Sequence, residues 1–255
     1  MIQVIDVYKN FGQQGVLQGT NLTIDDGVIT TIVGGSGSGK TVLLKTMIAL
    51  LLPDRGQIAV DGTDITRLGQ GPLNEIRKKF GFLFQGAALL DSMTLFDNIA
   101  FPLRERTRLG EDAIGGKVRE RLEQVGLKDM GYKYPAEVSG GMKKRAGFAR
   151  ALVTDPEIVL FDEPTTGLDP LLGQSIHQLI AAMQDRLRFT GVIVSHDIPE
   201  VFTISHRVAM LADGVIADSG PTDEFVKSRN PAVRRFLGAE PPETERATSG
   251  TADTT

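Results

Sequence analysis

Gly34-Gly35-Ser36-Gly37-Ser38-Gly39-Lys40-Thr41 follows the β-branched run Ile29-Thr30-Thr31-Ile32-Val33 and precedes Val42, Leu43, Met47, Ile48 and Leu51, which recur at helical spacing until Pro53. Strand, glycine-rich turn and helix therefore stand in immediate succession. The turn fits G-x-x-x-x-G-K-[ST], the P-loop pattern, in the context that pattern requires. Its glycines let successive main-chain N–H groups face inward around phosphate oxygens, and the helix N-terminus adds partial positive charge. Gly34, Gly35, Ser36, Gly37, Ser38 and Gly39 form that cradle; Lys40 is expected to reach the β- and γ-phosphates of a nucleotide, and Thr41 to ligate Mg²⁺. The turn alone does not separate the many kinds of P-loop enzyme.

Outward from the turn, residues 2–8 and 21–33 alternate polar and apolar side chains as strands do, and residues 57–65 and 80–84 read as further strands. From about Leu89 to Ala151 the pattern is mostly helical, broken at 107–116 and 131–135, and is expected to form a helical subdomain inserted into the core. Ile158–Phe161 then reads as a buried strand, Leu171–Leu187 as an amphipathic helix and Gly191–Val194 as another strand. That alternation predicts an α/β fold built on a parallel sheet. Residues 1–237 are expected to form the folded unit. The stretch 238–255, rich in Pro, Glu, Thr, Ser and Gly, is expected to be a disordered tail.

At 255 residues, the chain suits one large α/β domain carrying an insertion. Thirty-two acidic against 28 basic side chains give a formal charge of −4 without a basic block, which argues against nucleic acid as a partner. The absence of cysteine excludes disulfides, thiol catalysis and cysteine-held metal, and fits a reducing compartment. Apolar runs such as Ile48–Leu52 fall well short of the roughly 20 residues that span a bilayer, and no signal peptide is readable at the N-terminus. Any service to a membrane would run through a partner.

Ile158-Val159-Leu160-Phe161-Asp162-Glu163-Pro164 is an apolar strand ending in two adjacent carboxylates. After a P-loop, such a pair can divide two tasks: Asp162 in the Mg²⁺ shell and Glu163 as the base for an attacking water. Val138-Ser139-Gly140-Gly141-Met142, followed by Lys143-Lys144-Arg145 and Ala149-Arg150-Ala151-Leu152, resembles the ABC signature motif, usually written L-S-G-G-Q with a basic helix after it. The likeness covers nearly the whole chain to about Leu237. It implies an ABC-type P-loop NTPase, with a mostly parallel sheet core, an N-terminal antiparallel β subdomain and an inserted helical subdomain.

By the same resemblance, Ser139, Gly140 and Gly141 face the γ-phosphate bound by a second copy, so that hydrolysis belongs to a closed homodimer. Gln85, after Phe82–Phe84, senses Mg²⁺ and water and links to the membrane partner. Asp169 meets the other subunit, and His196 contacts the γ-phosphate. Phe11 lies at the adenine-stacking position, with Tyr8 as competitor. Val138 and Met142 depart from the usual leucine and glutamine; Met142 reads equally as a packing residue. His177 and His206 lack a motif and read as structural.

The stretch from Leu83 to Glu105, with Met142 and Arg234-Arg235-Phe236-Leu237, is similar to ATPase subunits of Mla-type phospholipid transporters, the ABC systems that work with MCE-domain proteins. This implies an integral-membrane permease dimer, an MCE-domain partner, a small STAS-type regulatory subunit and a place on the cytoplasmic face of the inner membrane. Leu89, Leu90, Met93 and Phe96 could seat a permease helix or simply fill the subdomain core. An ATPase for import of a polar solute and a non-transport ABC protein remain alternatives. The latter would bring a coiled-coil insertion or second cassette, and the sequence shows neither.

Overall fold

Strands buried on both faces favour apolar and β-branched side chains, and three segments rich in them, β3 (Ile29–Val33), β7 (Ile158–Asp162) and β8 (Thr190–Val194), are each buried along their full length. In the computed structural model, which describes residues 1–238, these strands form the centre of a six-stranded sheet with β6 (Phe80–Leu83), β9 (Arg207–Ala212) and β10 (Val215–Pro221). The order is β10-β9-β3-β8-β7-β6. Every pair is parallel except the β9–β10 edge. Side chains alternate between two cores. Val159 and Phe161 face a cluster shared with the helices, while Ile158 and Leu160 face the N-terminal sheet.

That second sheet is antiparallel, in the order β2-β1-β4-β5, from β1 (Ile2–Phe11), β2 (Gln14–Ile24), β4 (Arg55–Val60) and β5 (Thr63–Asp64). The expected single run at 21–33 is thus two strands in different sheets. Asp25-Asp26-Gly27 breaks it, with Gly27 at φ 69°, a left-handed turn that ends pairing with β1.

Helix α1 (Lys40–Thr46) is shorter than its apolar pattern, because Ala49 adopts φ 51° and the chain leaves the helix before Pro53. Helix α2 (Gln70–Arg77), with a single buried residue, Leu73, carries too little apolar pattern to be read from sequence. Between β6 and β7 run α3 (Leu95–Arg106), α4 (Glu111–Gln124) and α5 (Gly140–Leu152), packed together on the same face of the large sheet. Helix α4 begins inside the expected break at 107–116, since Gly115 and Gly116 are tolerated in its middle. Helix α6 (Pro170–Leu187), α7 (Thr222–Phe225) and α8 (Pro231–Phe236) complete the order. The expected tail at 238–255 lies, after Gly238, outside the described residues.

Candidate functional site

The neighbouring strands β3, β8, β7 and β6 deliver their C-terminal ends to one edge of the sheet, where ligands of open α/β sheets bind. From β3 comes the P-loop. Two of its glycines are compelled by their surroundings: a Cβ on Gly34 would lie 2.3 Å from the Leu211 carbonyl oxygen, and Gly39 sits at φ 98° with Val16 Cγ1 2.8 Å from its missing Cβ. At Gly35 and Gly37 the space beside the main chain is open. The loop bends toward its own lysine, as Lys40 Nζ donates to the carbonyls of Gly34 at 2.9 Å and Gly35 at 3.0 Å.

Lys40 is buried beside two carboxylates. Burial pushes its ammonium below the ordinary lysine range, and the charges of Glu163 and Asp162 oppose that push. Such an ammonium is held ready for a polyanion. Ser38 Oγ, inside the cradle, is buried with no partner among the described residues. An unpaired buried hydroxyl is costly, so open glycines, a desolvated lysine and an orphaned hydroxyl together fit a nucleotide phosphate.

From β7 come Asp162 and Glu163. Thr41 Oγ1 donates to Asp162 Oδ1 at 2.6 Å, placing a hydroxyl and a buried carboxylate side by side. Two hard oxygen donors are too few for an all-protein cage and suit Mg²⁺ shared with phosphate oxygens. Glu163 takes the left-handed conformation, φ 52°, uncommon outside glycine and found at strained functional turns. Its Oε1 lies 4.0 Å from Lys40 Nζ, and its Oε2 meets His196 Nδ1 at 2.5 Å and accepts from Thr166 Oγ1 at 2.9 Å. His196 follows β8 by two residues, and the main-chain bond from Glu163 N to Val194 O, 3.0 Å, ties the two strand ends together.

A cavity of about 550 Å³ collects these groups: Phe11, Val16, Gly34 to Val42, Gln85, Glu163, His196 and Phe236 line it. Of the sequence-predicted residues, Phe11, the whole cradle, Lys40, Thr41, Gln85, Glu163 and His196 meet there, and Asp162 joins through Thr41. Phe11 is 49% exposed at the mouth. Tyr8 is not among the lining residues; Arg55 lies over its ring at 5.0 Å.

Ser139, Gly140, Gly141 and Asp169 line no part of the cavity. Ser139 Oγ caps α5 by accepting from Met142 N at 3.3 Å, and Asp169 caps α6 by accepting from Leu172 N at 3.0 Å. Met142 packs, partly buried, against the helical core. Of the lining residues, Val16 escaped the sequence reading, and Phe236 entered it only as part of the resemblance at 234–237, not as a site residue. Val16 is seen only by its contact with Gly39, and Phe236 arrives from α8, far along the chain from the other lining residues.

This arrangement of loop, carboxylate pair and histidine on consecutive parallel strands, with a helical insertion and an antiparallel sheet attached, defines a P-loop nucleotide-binding cassette. Residues 17–166 match the family described as ABC transporter, and the chain belongs to that family. In Haemophilus influenzae, the intermembrane phospholipid transport system ATP-binding protein MlaF is 40% identical over 94% of this chain and 91% of its own length. Its Escherichia coli K12 counterpart is 38% identical over 93% and 88%. A probable ribonucleotide transport ATP-binding protein, mkl, of Mycobacterium tuberculosis is 45% identical over 92% of the chain, which spans 66% of that protein's length. Among solved structures, the dimeric bacterial ABC transporter cassette MJ0796 superposes with a TM-score of 0.81 at 31% identity, over 87% of this chain and 99% of that one. MJ0796 in a post-hydrolysis dimer bound to ADP and Pi gives 0.80 at 30% identity, with the same coverage.

Proposed function

We propose that this protein is the MgATP-hydrolysing subunit of a phospholipid transporter. The observation that carries the reading is similarity to two MlaF proteins along essentially the full length of both partners. Lys40 and the cradle hold the phosphates, Thr41 and Asp162 hold Mg²⁺, and Phe11 stacks on the base. Bound Mg²⁺ would neutralise phosphate charge and orient the terminal phosphate. Glu163, fixed by Thr166 and His196, takes a proton from the attacking water, while Gln85 and His196 border the position of the terminal phosphate.

The active form in this reading is a homodimer. Within the protomer, a methyl at Gly140 or Gly141 would sit 3.6–3.7 Å from Leu168 and Leu172, an ordinary contact. Among the described residues this glycine pair answers to no close approach, whereas a second copy's phosphates at the α5 N-terminus would require one. Each site then consists of one P-loop and the partner's Ser139-Gly140-Gly141, with Asp169 at the contact. The dimeric relatives support this arrangement.

No described helix is long and apolar enough to cross a membrane, so the permease is a separate chain in this reading. A groove of about 350 Å³ near Gln85 is lined by Leu50, Phe82, Phe84, Ala88 and Phe101, with Arg77, Arg106 and Arg150 beside them. Leu89 and Phe96 pack on the helical core instead, and Leu90 is exposed. The groove, more than the expected cluster at 89–96, suits an amphipathic permease segment. An MCE-domain protein and a small STAS-type subunit complete the assembly, on the cytoplasmic face of the inner membrane.

The mycobacterial relative, a probable ribonucleotide transport ATP-binding protein, favours a second reading, ATP-driven transport of a polar solute. Purification of the tagged protein from native membranes in mild detergent, with identification of co-purifying chains and lipid, separates the two. An MCE-domain chain with phospholipid upholds the lipid reading. A soluble binding protein carrying a polar ligand discards it and leaves the ATPase in place.

A further inference from the structure

Lys144 sits one turn into α5 and is almost fully buried, with 6% of its surface accessible. No carboxylate lies within ion-pair distance of it among the described residues. A buried ammonium without a direct counter-ion is costly, and it is kept only where its hydrogen bonds matter. Its partners are main-chain oxygens from two loops: Nζ donates to the carbonyl of Gln85 and, at 3.2 Å, to the carbonyl of Glu163. Burial lowers its proton affinity, and the charges of Asp162 and Glu163 offset part of that.

Both loops have main chains that need holding. Glu163 is left-handed, and so are Ala87 and Ala88, at φ 60° and 48°, directly after Gln85 and Gly86. Non-glycine residues seldom rest there unaided. Helix α5 supplies the restraint twice, because Arg150 donates to the carbonyls of Ala87 and Ala88 at 2.6 Å each. Gly147, on the same helix, lets Ala87 approach, since a Cβ at Gly147 would lie 3.0 Å from Ala87 Cβ.

We propose that Lys144 is a positioning residue for hydrolysis: it locks the main chains of Gln85 and Glu163 together and ties both to the helix that begins at Ser139. This rests on the ATPase reading above. Displacement of α5 as a second copy closes on its N-terminus then moves the Gln85 loop and the Glu163 turn in concert. Lys144 touches neither phosphate nor water itself, so nucleotide binding does not depend on it.

The test measures steady-state ATP hydrolysis and fluorescent-nucleotide binding for the full-length wild type, Lys144→Met, Lys144→Gln and Lys144→Arg. The expected result is a fall in kcat of tenfold or more for Lys144→Met, a nucleotide Kd within twofold of wild type, and partial recovery in Lys144→Arg. Lys144→Gln, which keeps a shorter neutral donor, falls between them and serves if the methionine variant does not fold. Wild-type kcat in the folded methionine or glutamine variant overturns the proposal. Equal loss of kcat and nucleotide affinity, without recovery by arginine, overturns it as well by marking a merely structural lysine. An inactive wild type with its partners present removes the ATPase reading and, with it, this role.

Discussion

Thr41→Val isolates one contact at the base of the site. Valine matches threonine in shape, so the substitution deletes the donor to Asp162 Oδ1 and leaves the surrounding packing in place. That bond is the only one the buried Asp162 carboxylate accepts among the described residues. Hydrogen bonds to charged groups contribute about 1.5–3 kcal/mol net. Lys40 and Lys144 still act on Asp162 by charge, so the carboxylate is not left wholly uncompensated and the expected loss is about 2 kcal/mol. For a folded unit of this size that is roughly 4–8 °C in Tm, read by calorimetry in EDTA without nucleotide, where metal binding plays no part. In a second assay, wild-type ATP affinity should rise on addition of Mg²⁺ and the valine variant's should not, with Thr41→Ser restoring both properties. A valine variant within 1 °C of wild type in EDTA would refute the energetic argument. Retained Mg²⁺ dependence would refute the metal assignment.

Glu163→Gln should lower kcat by at least about 10²-fold, the usual worth of a positioned base, and yield an ATP-stabilised dimer on size-exclusion chromatography; unchanged turnover would mean that another group takes the proton. Gly34→Ala drives a methyl to 2.3 Å from the Leu211 carbonyl, and nucleotide binding should disappear in isothermal titration, whereas near-normal affinity would show that the loop can shift without consequence. His177 is buried with both ring nitrogens unpartnered. Burial lowers its proton affinity, and nearby Asp197 and Glu200 oppose this. The unfolded chain therefore binds the extra proton first, so the stability owed to neutral His177 is complete above about pH 6.5 and is lost as pH falls through the lower folded-state value. His177→Leu should flatten the acid side of a Tm-versus-pH curve without lowering Tm at pH 8, and an unaltered acid limb would rule His177 out as its source.

Much of the site could be read in the sequence because its P-loop, carboxylate pair and histidine stand at the ends of strands buried along their full length. Such strands announce themselves as apolar and β-branched runs, and the residues at or just past their ends, Gly34 to Thr41, Asp162-Glu163 and His196, are placed by the sheet. The edge elements were less readable. Strand β10 has no fully buried residue, and α7 and α8 have one each, so periodicity carries little signal there. Phe236 and Lys144 illustrate the remaining limit: one reaches the cavity from a distant helix and the other bonds the main chain of two distant loops, and no local pattern encodes either. The capping roles of Ser139 and Asp169 are legible in the sequence, since each is an N-cap residue type standing directly before a helix.

Strands β3, β8, β7 and β6 also form a ruler. At about 4.8 Å between neighbours, P-loop, His196, carboxylates and Gln85 are stationed along a line of about 15 Å whose graduations are main-chain hydrogen bonds. A graduation can shift only if a strand slips by a residue, and one such slip exchanges the side chains of two cores at once. The spacing of these stations is therefore as durable as the fold itself. Amides at the middle of these strands, such as Thr31, Leu160 and Val192, exchange with solvent only when the whole sheet opens, and heat that abolishes the alignment of the site abolishes the protein with it.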